Sequence, residues 1–139
     1  MARIEDFKAF VASYKEACER GELEMASEET TRTWINQILA VFGWDVRNTN
    51  QVLQEVPLEI MERAALNDIG STNTRPDYTL MNGRVRLFFL DAKKRTVNIK
   101  EDKSVAFQIR SYGWSIGASY SVVTNMDELA IYDCTTMPR

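Results

Sequence analysis

The chain has 139 residues, 45% of them hydrophobic, and its 17 Lys and Arg against 20 Asp and Glu give a net charge of −3. That is one domain's worth of chain with enough apolar side chain for a core, and its overall charge lacks the basic footprint of a protein that coats DNA. With no histidine and only two cysteines, Ser-His-Asp and Cys-His nucleophile schemes, His-ligated zinc and cysteine metal clusters are excluded, so any chemistry runs on carboxylates, lysine and tyrosine.

Residues 3 to 20 carry Ile4, Phe7, Phe10, Val11, Tyr14 and Ala17 at helical spacing, and Gly21 ends the helix they predict. It reads either as a docking arm or as a helix packed on the domain. A second helix is expected from Ser27, a capping residue followed by acids, to Phe42, with Gly43 closing it and Ile35, Ile38, Leu39 and Phe42 as its apolar stripe. Stepping back from Ile35 by three and seven reaches Arg32 and Glu28, which puts Glu28 rather than Glu29 on the core side. An acid in a first turn is also favoured by the helix dipole alone. Residues 44 to 73 are harder to read. Val52 to Ile60 suits a strand beside the hairpin that follows, PLEIMERAAL suits a short helix, and Pro57 rules out an unbroken version of either; 68 to 73 read as a loop.

The run TRPDYTLMNGRVRLFFLDAKKR, Thr74 to Arg95, organises the rest. Asn82-Gly83 is a hairpin signal, so YTLM and RVRLFFL are expected to pair antiparallel, the second as a strand buried on both faces. That pairing brings Asp77, ahead of the first strand, near Asp91 at the end of the second, while alternation puts Asp91 and Lys93 on one face. Two carboxylates with the carbonyl of Ala92 between them are hard oxygen ligands suited to Mg²⁺, and Lys93 beside them could place an attacking water or offset charge on a phosphate. The plainer alternative is a surface ion pair of Asp91 and Lys93, with Asp77 opening a turn.

Past Lys94, a cation-bearing loop to Lys103 is expected to be mobile and, on the resemblance given below, to contribute to binding the DNA backbone. From Arg84 to Arg110, eight cations outnumber Asp91, Glu101 and Asp102. Residues 102 to 116 predict a helix with Val105, Gln108, Ile109, Tyr112 and Ile116 on one face. Gln108 and Tyr112, one turn apart in an apolar stripe, need partners, either core main chain or catalytic groups and a phosphate. Strands are expected at Ser119 to Asn125 and Leu129 to Asp133. No run approaches the roughly 18 apolar residues of a membrane span, the acidic N-terminus is no signal peptide, and two cysteines fit reduced thiols, so a soluble cytoplasmic protein with no membrane partner is expected.

Five segments in this order, EETTR with ILAVFGWDV, RPDYTL, FFLDAKK, AFQIRSYGWS and VVTNMDELAIYD, resemble the PD-(D/E)xK nuclease superfamily. More narrowly, they resemble the N-terminal endonuclease domain of type I and type IIG restriction-modification enzymes. The resemblance implies an α/β, restriction-endonuclease-like core, a mixed sheet of four or five strands flanked by helices. It also implies one domain over 1–139, with 1–26 a helical extension and 27–139 the core, belonging to a longer restriction enzyme. The implied activity is Mg²⁺-dependent cleavage of double-stranded DNA, with Mn²⁺ as substitute. Glu28, Asp77, Asp91 and the Ala92 carbonyl would hold metal, Lys93 would orient the nucleophilic water, and Gln108 with Tyr112 would position Lys93 and the DNA backbone. Asp91 stands where many members have Glu, which shortens the reach to the metal. Other domains or subunits would supply methylation, translocation or target recognition. A stand-alone repair or junction nuclease of the same superfamily, and a non-cutting homologue that binds DNA or a partner, are the alternatives.

Overall fold

The computed structural model describes residues 3–24, 26–59, 63–64 and 75–138. Helices α1 (Ile4–Glu19) and α2 (Glu28–Val41) lead into β1 (Val52–Gln54), the hairpin β2 (Tyr78–Asn82) and β3 (Val85–Ala92), helix α3 (Lys103–Ile116), and strands β4 (Tyr120–Thr124) and β5 (Leu129–Asp133). The strands form one sheet in the order β1-β2-β3-β4-β5, antiparallel throughout except for the parallel β3–β4 pair. A parallel pair needs a crossover, and α3 supplies it. The expected mixed α/β sheet with helices on both faces is therefore the fold. Of the stretch read as a strand or a short helix, Val52 to Gln54 pair with β2 as a strand, 55 to 59 form no strand or helix, and 63 and 64 are helical; 60 to 62 and 65 to 74, with the loop at 68 to 73, lie outside the described residues.

Local chemistry sets the element ends. The Ser27 hydroxyl accepts from the Thr30 N–H at 3.3 Å to start α2, and Asp102 Oδ1 accepts from the N–H groups of Ser104 and Val105 at 3.0 and 3.2 Å to start α3. Gly117, at φ 72°, stops α3 in the left-handed conformation that suits glycine. In the hairpin Asn82 pairs with Val85, so the two loop residues are Gly83 and Arg84, one position on from the Asn-Gly pair, with Gly83 at φ 63°.

Each helix covers one face. Ile35 and Leu39 of α2 pack on Tyr78, Leu80, Leu90, Ala92 and Val122; Val105, Ile109 and Tyr112 of α3 pack on Phe89, Val123 and Ile99 from the other side. The alternation of β3 divides its residues accordingly, Leu90 and Ala92 toward α2 and Phe89 toward α3.

Two expectations are corrected, on the burial of β3 and on the loop after Lys94. Only the second half of β3 is buried; Val85 and Leu87 are 61% and 39% exposed, because the hairpin tip projects beyond both helices. Of the two readings of α1, the helix packed on the domain is the one found: it meets α2 and no strand, and the Tyr14 hydroxyl ties it to the β4–β5 turn by donating to Asp127 at 2.9 Å. The loop after Lys94 is anchored rather than free. Ile99 is buried, Asn125 Nδ2 donates to the Val97 carbonyl at 3.0 Å, Lys100 pairs with Glu128 at 3.3 Å, and the Arg95 guanidinium is engaged by Asp127.

Because α2 lies over the β1–β3 side and α1 stops short of the sheet, the β4–β5 half of that face is open. A groove bordered by Phe7, Phe42, Phe88 and Leu129 runs there. Leu129 and Ile131 are 62% and 63% exposed on β5.

Candidate active site

The site forms where β2 begins and β3 ends. Tyr78 pairs with Leu90, so the residues just outside that pair, Asp77 and Asp91, are neighbours. Each carboxylate grips the other strand's main chain: the Asp77 N–H donates to Asp91 Oδ1 at 3.0 Å, and the Ala92 N–H donates to Asp77 Oδ2 at 2.8 Å. This reciprocal lock fixes both side chains. Asp77 Oδ1 and Asp91 Oδ2 take no hydrogen bond from a described residue.

Lys93 leaves the sheet one residue later, its N–H donating to the Thr124 carbonyl at 3.0 Å. Its amine donates to Gln108 Oε1 on α3 at 3.2 Å, and Gln108 Nε2 makes a long 3.5 Å contact with the Tyr112 hydroxyl. The crossover helix thus sends a relay of polar groups, Tyr112 to Gln108 to Lys93, along the face that also carries Asp91. Tyr112 packs edge-on against Phe89, ring centroids 5.7 Å apart, which fixes the far end of the relay.

Electrostatics mark Asp91 as the tensest group. It is 4% exposed, and its pKa is pushed up to about 7, first by burial and then by the Asp77 carboxylate, with the Asp77 N–H and Lys93 opposing. Asp77 is raised less, by burial, against the pull of the Ala92 N–H, Arg32 and Lys93. Burial and the two carboxylates also raise the Tyr112 phenol, opposed by Gln108 and a main-chain bond from Arg75, so it stays protonated.

Glu28, the first residue of α2, is half-buried, whereas Glu29 is exposed. Of the two, Glu28 is the acid whose charge acts on Asp91. Among the described residues no three acidic or cysteine side chains gather into a ready metal-binding group. A cation at this centre would therefore rest on two aspartates, main-chain oxygen and water.

The chain is similar to a restriction-modification protein. It is 29% identical over 140 residues to the type II restriction enzyme and methyltransferase RM.Eco57I of Escherichia coli. The match covers all of this chain, which spans 14% of the length of that relative. No family model matches the chain, and no solved structure does. Among the described residues no helix is long and apolar enough to cross a membrane.

Two residues at the centre received no role from the sequence. Arg32, one turn after Glu28 on α2, acts on the Asp77 carboxyl and pairs through Nη1 with Glu55 Oε1 at 3.1 Å. The Glu28-to-Arg32 spacing of four was a usable signal, since it sets both on one helical face. Glu55 had none: it follows β1 in a stretch of conflicting periodicities, and its N–H is held by the Asp77 carbonyl at 3.0 Å.

Proposed function

We propose that this chain is the cleavage domain of a restriction-modification enzyme, hydrolysing phosphodiester bonds of double-stranded DNA with Mg²⁺. The observation that carries the reading is the lock between Asp77 and Asp91 with the Lys93 amine held beside it by Gln108. Asp77 and Asp91, through the oxygens the main chain does not use, would hold the ion with the Ala92 carbonyl, and Glu28 would join by way of water; Mn²⁺ suits the same donors. The bound ion supplies Lewis acidity, a more acidic water and neutralisation of phosphate charge.

The chain's own residues do the rest. The main-chain bonds hold both carboxylates in place before any ligand arrives, so little reorganisation is needed on binding. Lys93 orients the attacking water and offsets charge on the phosphate oxygens. Gln108 holds the amine by its carbonyl oxygen, and Tyr112 steadies the Gln108 amide. Asp91, hard to ionise alone because it is buried, would be held in its charged form by a divalent partner, so metal affinity would rise with pH.

The relative's name joins restriction to methylation, and this chain matches 14% of it. That supports placing the chain in a longer enzyme of type I or type IIG design, with methylation, translocation or target recognition supplied by other domains or subunits. Both cysteines are free, in keeping with a reducing cytoplasm.

The test is incubation with supercoiled plasmid at high protein concentration. We expect nicking that requires Mg²⁺ or Mn²⁺ and is lost in Asp91→Ala, together with a metal-dependent rise in Tm that the same variant lacks. DNA binding without cleavage at saturating metal would instead identify a non-cutting homologue. Cleavage confined to branched DNA would identify a repair or junction nuclease.

A further inference from the structure

Arg32 is mostly buried, its side chain 22% exposed, and lies close enough to the Asp77–Asp91 centre for its charge to act on Asp77. Its carbonyl accepts from the Tyr78 hydroxyl at 3.1 Å, which ties this turn of α2 to the strand that starts beside Asp77. The charges it meets are Asp77 first, then Glu55 and Glu28. One terminal nitrogen pairs with Glu55, but Nε is buried with no hydrogen-bond partner among the described residues. A guanidinium offers five N–H donors in a planar fork that matches the oxygens of a carboxylate or phosphate two at a time. Here the fork is engaged along one edge only, and a buried donor without a partner calls for an absent ligand.

Glu55 is a poor permanent partner. Its side chain is 51% exposed, and its main chain sits at φ 54°, a region that non-glycine residues rarely occupy. An exposed carboxylate that makes a single contact can be exchanged for a better anion. The one this centre would meet is a backbone phosphate, which could use Nε and a terminal nitrogen together.

We propose that Arg32 binds a backbone phosphate of the DNA that enters the Asp77–Asp91 centre, and that Glu55 occupies its fork until the phosphate displaces it. The inference rests on the nuclease reading and adds a substrate contact to it. It assigns the two partners opposite roles, Arg32 favouring DNA and Glu55 competing with it. A purely structural bridge between α2 and the end of β1 would make them equivalent.

The experiment measures binding of a fluorescent DNA duplex by anisotropy with Ca²⁺ in place of Mg²⁺, across a range of salt. Wild type, Arg32→Gln, Arg32→Lys, Glu55→Gln and the Arg32→Gln/Glu55→Gln double variant are compared, and Tm is taken for each. Arg32→Gln should weaken binding about ten-fold and reduce the salt slope by about one, the signature of one lost phosphate contact. Arg32→Lys should recover part of the affinity, because charge remains and the fork does not. Glu55→Gln should tighten binding by roughly two- to five-fold, and that gain should vanish in the double variant. If Arg32→Gln fails to fold, Glu55→Gln decides alone: tighter binding supports the inference and weaker binding overturns it. Equal losses from both single variants, or an unchanged salt slope, would also overturn it. Plasmid nicking by wild type that Arg32→Gln matches sinks this inference and leaves the nuclease reading standing, whereas a wild type that neither binds nor nicks DNA sinks both.

Discussion

Gln108 is the residue where stability and chemistry separate. Its side chain is half-buried, and its carbonyl oxygen accepts from the Lys93 amine at 3.2 Å. Were it merely satisfying the core, Gln108→Ala would lower stability by about 1 to 3 kcal/mol and leave cleavage per folded molecule unchanged. On the nuclease reading, in which the amine it holds acts on water or phosphate, we expect Gln108→Ala to fold and bind metal almost normally yet to cut DNA about ten-fold more slowly, since misplacing such a group costs at least about 1 kcal/mol in the transition state. Single-turnover cleavage alongside Tm checks this. Asp91 carries a second expectation, for the metal-free protein. Its folded pKa of about 7 lies above the ordinary 3.8, so folded and unfolded chains are both protonated below about pH 4, where its contribution to stability is complete. As pH rises toward 7 the unfolded chain gives up the proton first, and stability is lost, up to the order of 4 kcal/mol, before levelling above the folded pKa. Urea melts in chelator from about pH 4 to 8 should show that fall, and Asp91→Asn should flatten it.

At the scale of elements, the crossover helix aims the site. Gly113, the residue after Tyr112, faces β4: a Cβ there would come within 2.6 Å of Ser121 Oγ and would collide with Cys134 Sγ. Helix and sheet approach that closely only because there is no side chain between them. Gly113→Ala should force α3 outward, destabilise the protein by about 1 to 3 kcal/mol, and lower cleavage further than the stability loss explains. Kinetics well below Tm separate the two effects. Much of this geometry could be read in the sequence. The hairpin signal and strand alternation brought Asp77, Asp91 and Lys93 together, and a spacing of one turn set Gln108 beside Tyr112. The extent to which helices cover a strand was not legible: RVRLFFL gives the same pattern whether Val85 lies under a helix or beyond one. Nor was the pairing of Arg32 with Glu55, because it depends on where β1 ends, and Val52 to Ile60 carried strand and helix signals at once.

The whole molecule is unevenly layered. Helix α3 covers β3 to β5 on one face, while on the other α2 serves the β1–β3 side and leaves Leu129 and Ile131 in the open. The alternation in LAIYD could not reveal this, since it separates two faces without saying which is covered. Strand β5 also ends the order of strands, so its outer row of N–H and C=O groups has no neighbouring strand among the described residues. Nor does it carry a proline or lysine to deter one. Such an edge is a template for strand addition, and two exposed aliphatic side chains make the added strand stick. The isolated chain should therefore self-associate as concentration rises in sedimentation velocity runs, and Ile131→Lys should hold it monomeric. If the chain cuts DNA as proposed, this bears on how its activity would be judged: protein lost to strand-on-strand association counts in the denominator of specific activity. Ile131→Lys, on the face opposite Lys93 and Gln108, should raise the measured rate per milligram without altering the chemistry.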